Sequence, residues 1–108
     1  MITLTATIAS GNNKSHALYL GTRSVIGVHL PTVPDDTAIV SFEVSDGSGS
    51  GWKPLQDSAS LIVLPANPQH AVLPAELTQP WQFIRLVAGD PDHLVVMSSD
   101  VQYELTLI

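Results

Sequence analysis

The residues in this chain whose types could carry chemistry are few and scattered. Four histidines, His16, His29, His70 and His93, stand in four separate segments. Imidazoles announce a metal site when they recur at short spacing, as in HxH or HExxH, because both ligands then leave one face of a single element. None of the four has such a neighbour, so no metal is expected; His29, inside an alternating pattern, is expected half buried, and the other three near strand ends. The acidic residues cluster as Asp35-Asp36 after Pro34 and as Asp90-Pro91-Asp92 after Gly89, the pattern of turns in which a carboxylate accepts hydrogen bonds from nearby amides. Asp46-Gly47-Ser48-Gly49-Ser50-Gly51 has the outline of a calcium loop but lacks the alternating carboxylates and the closing bidentate Glu. It reads as a mobile hairpin loop. No serine stands in a GxSxG elbow. These residues assign no catalytic group, metal ligand or cofactor contact, and the chain is expected to be neither an enzyme nor a cofactor carrier.

The aromatic residues are more informative. Trp81 lies in an alternating segment and is expected in or near the core, with Arg85 on the same face and in need of a carboxylate or carbonyl partner. Trp52 follows the glycine loop directly, so it either pins that loop onto the edge of the fold or stands as an exposed anchor for a sugar or a protein partner.

The elements that position these groups follow from punctuation and period. Fifteen Gly and Pro residues from Gly11 to Pro91 leave few windows for a helix. Between them apolar residues recur every second position: Ile2, Leu4, Ala6, Ile8; Ala38, Val40, Phe42, Val44; Trp81, Phe83, Arg85, Val87 against Gln82, Ile84, Leu86; and Val101, Tyr103, Leu105, Leu107. Shorter candidates cover 17–20, 24–30, 61–64, 70–73 and 94–97. The expected architecture is all-β, an antiparallel β-sandwich or jelly roll of about eight or nine strands in a single domain over residues 1–108. At most one short helical turn is expected, at Pro74-Ala75-Glu76-Leu77, where Pro suits a first turn. The first strand, with Ile2 and Leu4, either closes its own sheet or pairs with a neighbouring chain by strand addition.

Composition bounds the function classes. With 108 residues and no Cys, the chain offers neither a disulfide scaffold nor a thiolate zinc site, and by area scaling it should expose about 5,800 Å² when folded. Four Lys plus Arg against ten Asp plus Glu, a net charge of -6, give no basic stripe for phosphates. Nucleic acid and anionic membrane surfaces are therefore not expected partners. Charged residues make up only 13%, about half the usual share, so much of the surface is neutral and suited to packing against protein. Neither a signal peptide nor an apolar run of transmembrane length is read at the start of the chain, and synthesis in the cytoplasm is expected.

The stretches Val25-Ile26-Gly27-Val28-His29-Leu30-Pro31, Ala38-Ile39-Val40-Ser41-Phe42-Glu43-Val44-Ser45-Asp46-Gly47, Trp52-Lys53-Pro54-Leu55 and Phe83-Ile84-Arg85 resemble a group of small tailed-bacteriophage β-sandwich proteins over residues 18–108. The pattern is also similar to discoidin-like jelly rolls that bind carbohydrate or lipid headgroups. The first resemblance implies a virion structural protein, a capsid-decorating or cement type that binds the major capsid protein or another virion protein and stabilises the assembled lattice. A homo-oligomer, a trimer, is expected by the same analogy. Sandwiches of the first group also sit in tails and baseplates, and taken with the second likeness this gives the alternative, a tail- or baseplate-associated module that binds carbohydrate or a host surface. Ile2, Leu4, Trp52 and Arg85 are the candidate interface or ligand contacts.

Overall fold

The computed structural model describes residues 2–31, 39–47, 51–57, 60–65 and 69–108. The turn expected at Asp35-Asp36, the centre of the glycine loop at residues 48–50, and the 58–59 segment lie outside these residues. Among the described residues there are twelve strands and one 3₁₀ turn: β1 Ile2–Ile8, β2 Leu18–Tyr19, β3 Val25–Leu30, β4 Ile39–Ser45, β5 Lys53–Pro54, β6 Gln56–Asp57, β7 Ser60–Leu61, β8 Val63–Pro65, β9 Gln69–Val72, the 3₁₀ turn Ala75–Leu77, β10 Phe83–Asp90, β11 His93–Leu94 and β12 Val101–Leu107.

The chain is an antiparallel β-sandwich. One sheet has the order β1-β12-β3-β9. The other is built on the β10–β4 pair: β5 and β8 share the far edge of β4, while β2 and β11 share the far edge of β10, and β6–β7 forms a separate small hairpin. All named pairs are antiparallel. The strand count exceeds the expected eight or nine because several edges are assembled from two-residue pieces; β5 and β6 carry no periodic signal at that length. The segment before β10 also differs from expectation. The strand begins at Phe83, two residues after Trp81, and continues to Asp90. The later 94–97 segment contributes only its first residue, in β11.

The period of two explains the core. Ala6 and Ile8 of β1, Val25, Val28 and Leu30 of β3, Val40, Phe42 and Val44 of β4, Ile84, Leu86 and Ala88 of β10, and Val101, Tyr103, Leu105 and Leu107 of β12 meet in one buried cluster. The chain exposes 5608 Å², close to the area expected for its mass. At about 25 cal/mol per Å² of apolar surface, this interdigitated layer is the main driving force for folding.

Three local devices complete the sheets. A register shift in β12 between Thr106 and Leu107, opposite β3, interrupts the ladder at Val25. The Val25 N–H donates instead to Oγ1 of Thr78 at 2.8 Å, and Thr78, just past the 3₁₀ turn, is fully buried. The turn expected after Gly89 forms as read: Asp90 Oδ1 accepts from the amides of Asp92 and His93 at 2.9 and 2.8 Å. Burial raises the Asp90 carboxyl, but those two amides and His93 outweigh it and hold the carboxyl below its ordinary value. Gly89 itself has φ +89°, and a Cβ there would run into the His93 carbonyl, so the tight β10–β11 hairpin requires glycine. The helical turn expected at Pro74-Leu77 is the 3₁₀ turn, with Pro74 as its extended N-cap.

Candidate functional site

Strand pairing builds one organised cluster on the outer face of the β10–β4 sheet. In β4, Val40, Phe42 and Val44 point inward, so Ser41, Glu43 and Ser45 point outward; in β10, Ile84, Leu86 and Ala88 point inward, so Phe83, Arg85 and Val87 point outward. Register sets Arg85 directly opposite Glu43. The Arg85 guanidinium donates from Nε and Nη2 to Oε1 of Glu43, each at 2.7 Å. Lys14, bridged through its backbone to Val87, brings its Nζ to 3.5 Å from the same carboxylate. The Arg85 Cζ lies 4.3 Å from the Trp52 ring centroid, a cation–π stack. Beside it Tyr19 and Phe83 pack as a tilted pair with centroids 5.2 Å apart.

The structure therefore brings two of the four candidate contacts, Trp52 and Arg85, into one assembly. Arg85 has its expected carboxylate partner, but it does not share a face with Trp81. The backbone turns between Thr78 and Gln82, with the Trp81 N–H donating to the Thr78 carbonyl, and the Trp81 side chain packs against the core instead. One face of the Trp52 ring is occupied by the Arg85 guanidinium. Glu43 and Lys14 were not singled out by sequence reasoning. The signal for Glu43 was available: it is the lone charge on an otherwise neutral β4 face, and such a residue on a half-buried strand needs a cation opposite. Lys14 carried no such signal, because its neighbours are irregular.

The other two candidates, Ile2 and Leu4, belong to β1, the edge of the four-stranded sheet. They line an open groove of about 360 Å³ together with Tyr19, Leu20, Leu107 and the Gly21–Arg23 turn. A second open groove, about 500 Å³, is lined by Val44, Lys53, Pro54, Leu55, Gln56 and Trp81. Neither groove gathers a nucleophile with a base or a pair of carboxylates. Among the described residues no three His, Cys, Asp or Glu side chains are grouped to hold a metal ion. No described helix is long and apolar enough to cross a membrane. His29 corrects the expectation of half burial: β3 presents Val28 and Leu30 inward and His29 outward, and the imidazole is exposed.

Comparison with protein-family models, curated proteins and solved structures finds no match to this chain.

Proposed function

We propose that this chain is a virion structural protein of the capsid-decorating type, which binds an assembled lattice through its sheet edge and outer surface. The observation that carries this reading is the free edge of β1. Seven residues, Ile2-Thr3-Leu4-Thr5-Ala6-Thr7-Ile8, pair with β12 along one side, and no described strand pairs along the other. Edge strands are commonly blunted by Lys, Pro, inward charges or bulges. β1 has none of these, and its groove adds apolar surface beside the unpaired amides and carbonyls. Such an edge suits addition of a strand from a neighbouring virion protein, with main-chain bonds giving affinity and the groove giving register.

The same edge favours self-association. Read about Thr5, the segment is nearly palindromic, so a second copy in antiparallel register sets Ile2 against Ile8, Thr3 against Thr7 and Leu4 against Ala6. That contact closes about a twofold axis. A threefold arrangement built on sheet edges would instead set β1 of one copy against β9 of the next, whose outer side pairs with no described strand.

A second reading, a tail- or baseplate-associated carbohydrate-binding module, is favoured by one observation: Trp81 forms a wall of the larger groove beside Lys53 and Gln56, and an aromatic face with polar neighbours is how proteins grip sugars. Co-sedimentation with assembled capsids, with unassembled capsid protein and with glycan-coated beads separates the two. Binding to the assembled lattice that falls at least about tenfold in Leu4→Lys supports the decorating role. Retention on glycans that is lost in Trp81→Ala, without capsid binding, overturns it.

A further inference from the structure

We propose that His29 and His70 form a two-imidazole chelate for a first-row transition-metal ion on the outer face of the four-stranded sheet. The four histidines are far apart in sequence, yet the β3–β9 register sets His29 and His70 directly opposite each other on adjacent antiparallel strands. Their ring centroids are 4.6 Å apart, with planes tilted by 49°. Both side chains are exposed. Among the described residues neither ring makes a hydrogen bond or ion pair, so their nitrogens are uncommitted.

The spacing suits a shared ion. Imidazole nitrogens bind zinc at about 2.0–2.1 Å in near-tetrahedral geometry, so two ligating nitrogens lie about 3.3 Å from each other. Rings whose centres are 4.6 Å apart reach that separation by small side-chain rotations. The strands hold both Cα positions fixed, so binding the first imidazole makes attack by the second intramolecular. The remaining coordination positions face solvent and would hold water. Glu104, opposite His29 on β12, adds a negative charge to the same cross-strand row, which favours a cation without being required as a ligand. Imidazole ligands select Cu²⁺, Ni²⁺ and Zn²⁺ over Mg²⁺ and Ca²⁺, which prefer oxygen.

Titration of the full chain with Zn²⁺ and with Ni²⁺ by calorimetry tests the site. One equivalent should bind, with an affinity that falls at least about tenfold in His29→Asn and equally in His70→Asn, while His16→Asn and His93→Asn bind as the parent does. In proton–carbon correlation spectra, Zn²⁺ should shift the imidazole signals of His29 and His70 together. All four rings are exposed on the surface, and circular dichroism of each variant verifies that its fold is unchanged. The proposal is overturned if neither ion binds, if either single variant binds like the parent, or if His16→Asn or His93→Asn lowers affinity as much.

Discussion

Tyr103 offers the sharpest test of the packing. It lies at the centre of β12, has no exposed surface, and its hydroxyl has no hydrogen-bond partner among the described residues. An unsatisfied buried hydroxyl costs about 1–3 kcal/mol relative to its hydrated state in the unfolded chain. Tyr103→Phe keeps the ring and removes the penalty. Allowing for the lost dispersion contacts of one oxygen, the variant should be about 1 kcal/mol more stable near neutral pH, a rise of about 4–8 °C in Tm for a domain of this size. The alkaline limb gives an independent check. Burial pushes the Tyr103 phenol up to about 12, from an ordinary value of 10.0. Because the folded value lies above the unfolded one, the neutral phenol's contribution is fully present below pH 10 and is lost as pH rises towards 12, at about 1.4 kcal/mol per pH unit once the unfolded chain ionises. Urea denaturation of both proteins between pH 7 and pH 11.5 measures this. Tyr19, the lysines and the arginines are common to both, so the difference between the two curves isolates Tyr103. The parent should lose stability more steeply above pH 10 than Tyr103→Phe does. A variant destabilised by more than about 1 kcal/mol at neutral pH, or two curves with the same alkaline slope, would refute the view of an unpartnered buried phenol.

Three further outcomes follow from the same physics. Thr78→Val removes the acceptor of the Val25 N–H at the β12 register shift and should cost about 1–3 kcal/mol by urea denaturation, with Thr78→Ser restoring most of it. Glu43→Gln leaves Arg85 and Lys14 without their shared carboxylate; it should cost about 1–3 kcal/mol and change the near-ultraviolet dichroism and fluorescence of Trp52, because the guanidinium stacked on that ring loses its anchor. Ile2→Lys places a charge on the β1 edge and should lower self-association and lattice binding in sedimentation while leaving Tm within a few degrees, since Ile2 is already partly exposed.

The parts of this fold legible in the sequence are those where one face is dry and the other wet. In β1, β4 and β12 the alternation of apolar and polar residues locates both the strand and its core side, because burying one face forces period two. In β10 the alternation is legible but its sense is not: Phe83 and Val87 lie on the outer face with Arg85, while Ile84 and Leu86 face the core. Both faces are partly covered, so an apolar residue on either is satisfied. The edge strands β5, β6, β7 and β11 are two residues long, shorter than one period, and no pattern can report them. The candidate residues divide the same way. Arg85 advertised its need for a partner by being charged within an apolar run, whereas the meeting of His29 with His70, 41 positions apart in the chain, depends on strand register, and register is set by the whole sheet rather than by either segment.

The two outer faces of the sandwich are unequal, and this bears on where a partner can bind. On the β10–β4 sheet, the outward residues Ser41, Ser45 and Val87 are as buried as the core, at 1%, 0% and 2% exposed. Ser41 donates to the Gly89 carbonyl at 2.8 Å, and Glu43 and Arg85 are saturated by each other, Lys14 and Trp52. A partner docking on the Glu43–Arg85 cluster itself would compete with these contacts. The four-stranded sheet is the opposite case. Its outward residues include Thr3, Thr5, Gln102, Glu104, His29 and His70, all exposed, and Val72 is 85% exposed. Binding to this face, or to the β1 edge that continues it, displaces water from side chains of which, among those named, only Glu104 is an acid, and leaves the sandwich intact. Association should therefore run through the β1–β12–β3–β9 sheet, and charge introduced there, as in Thr5→Lys, should weaken it more than charge introduced beside Trp52.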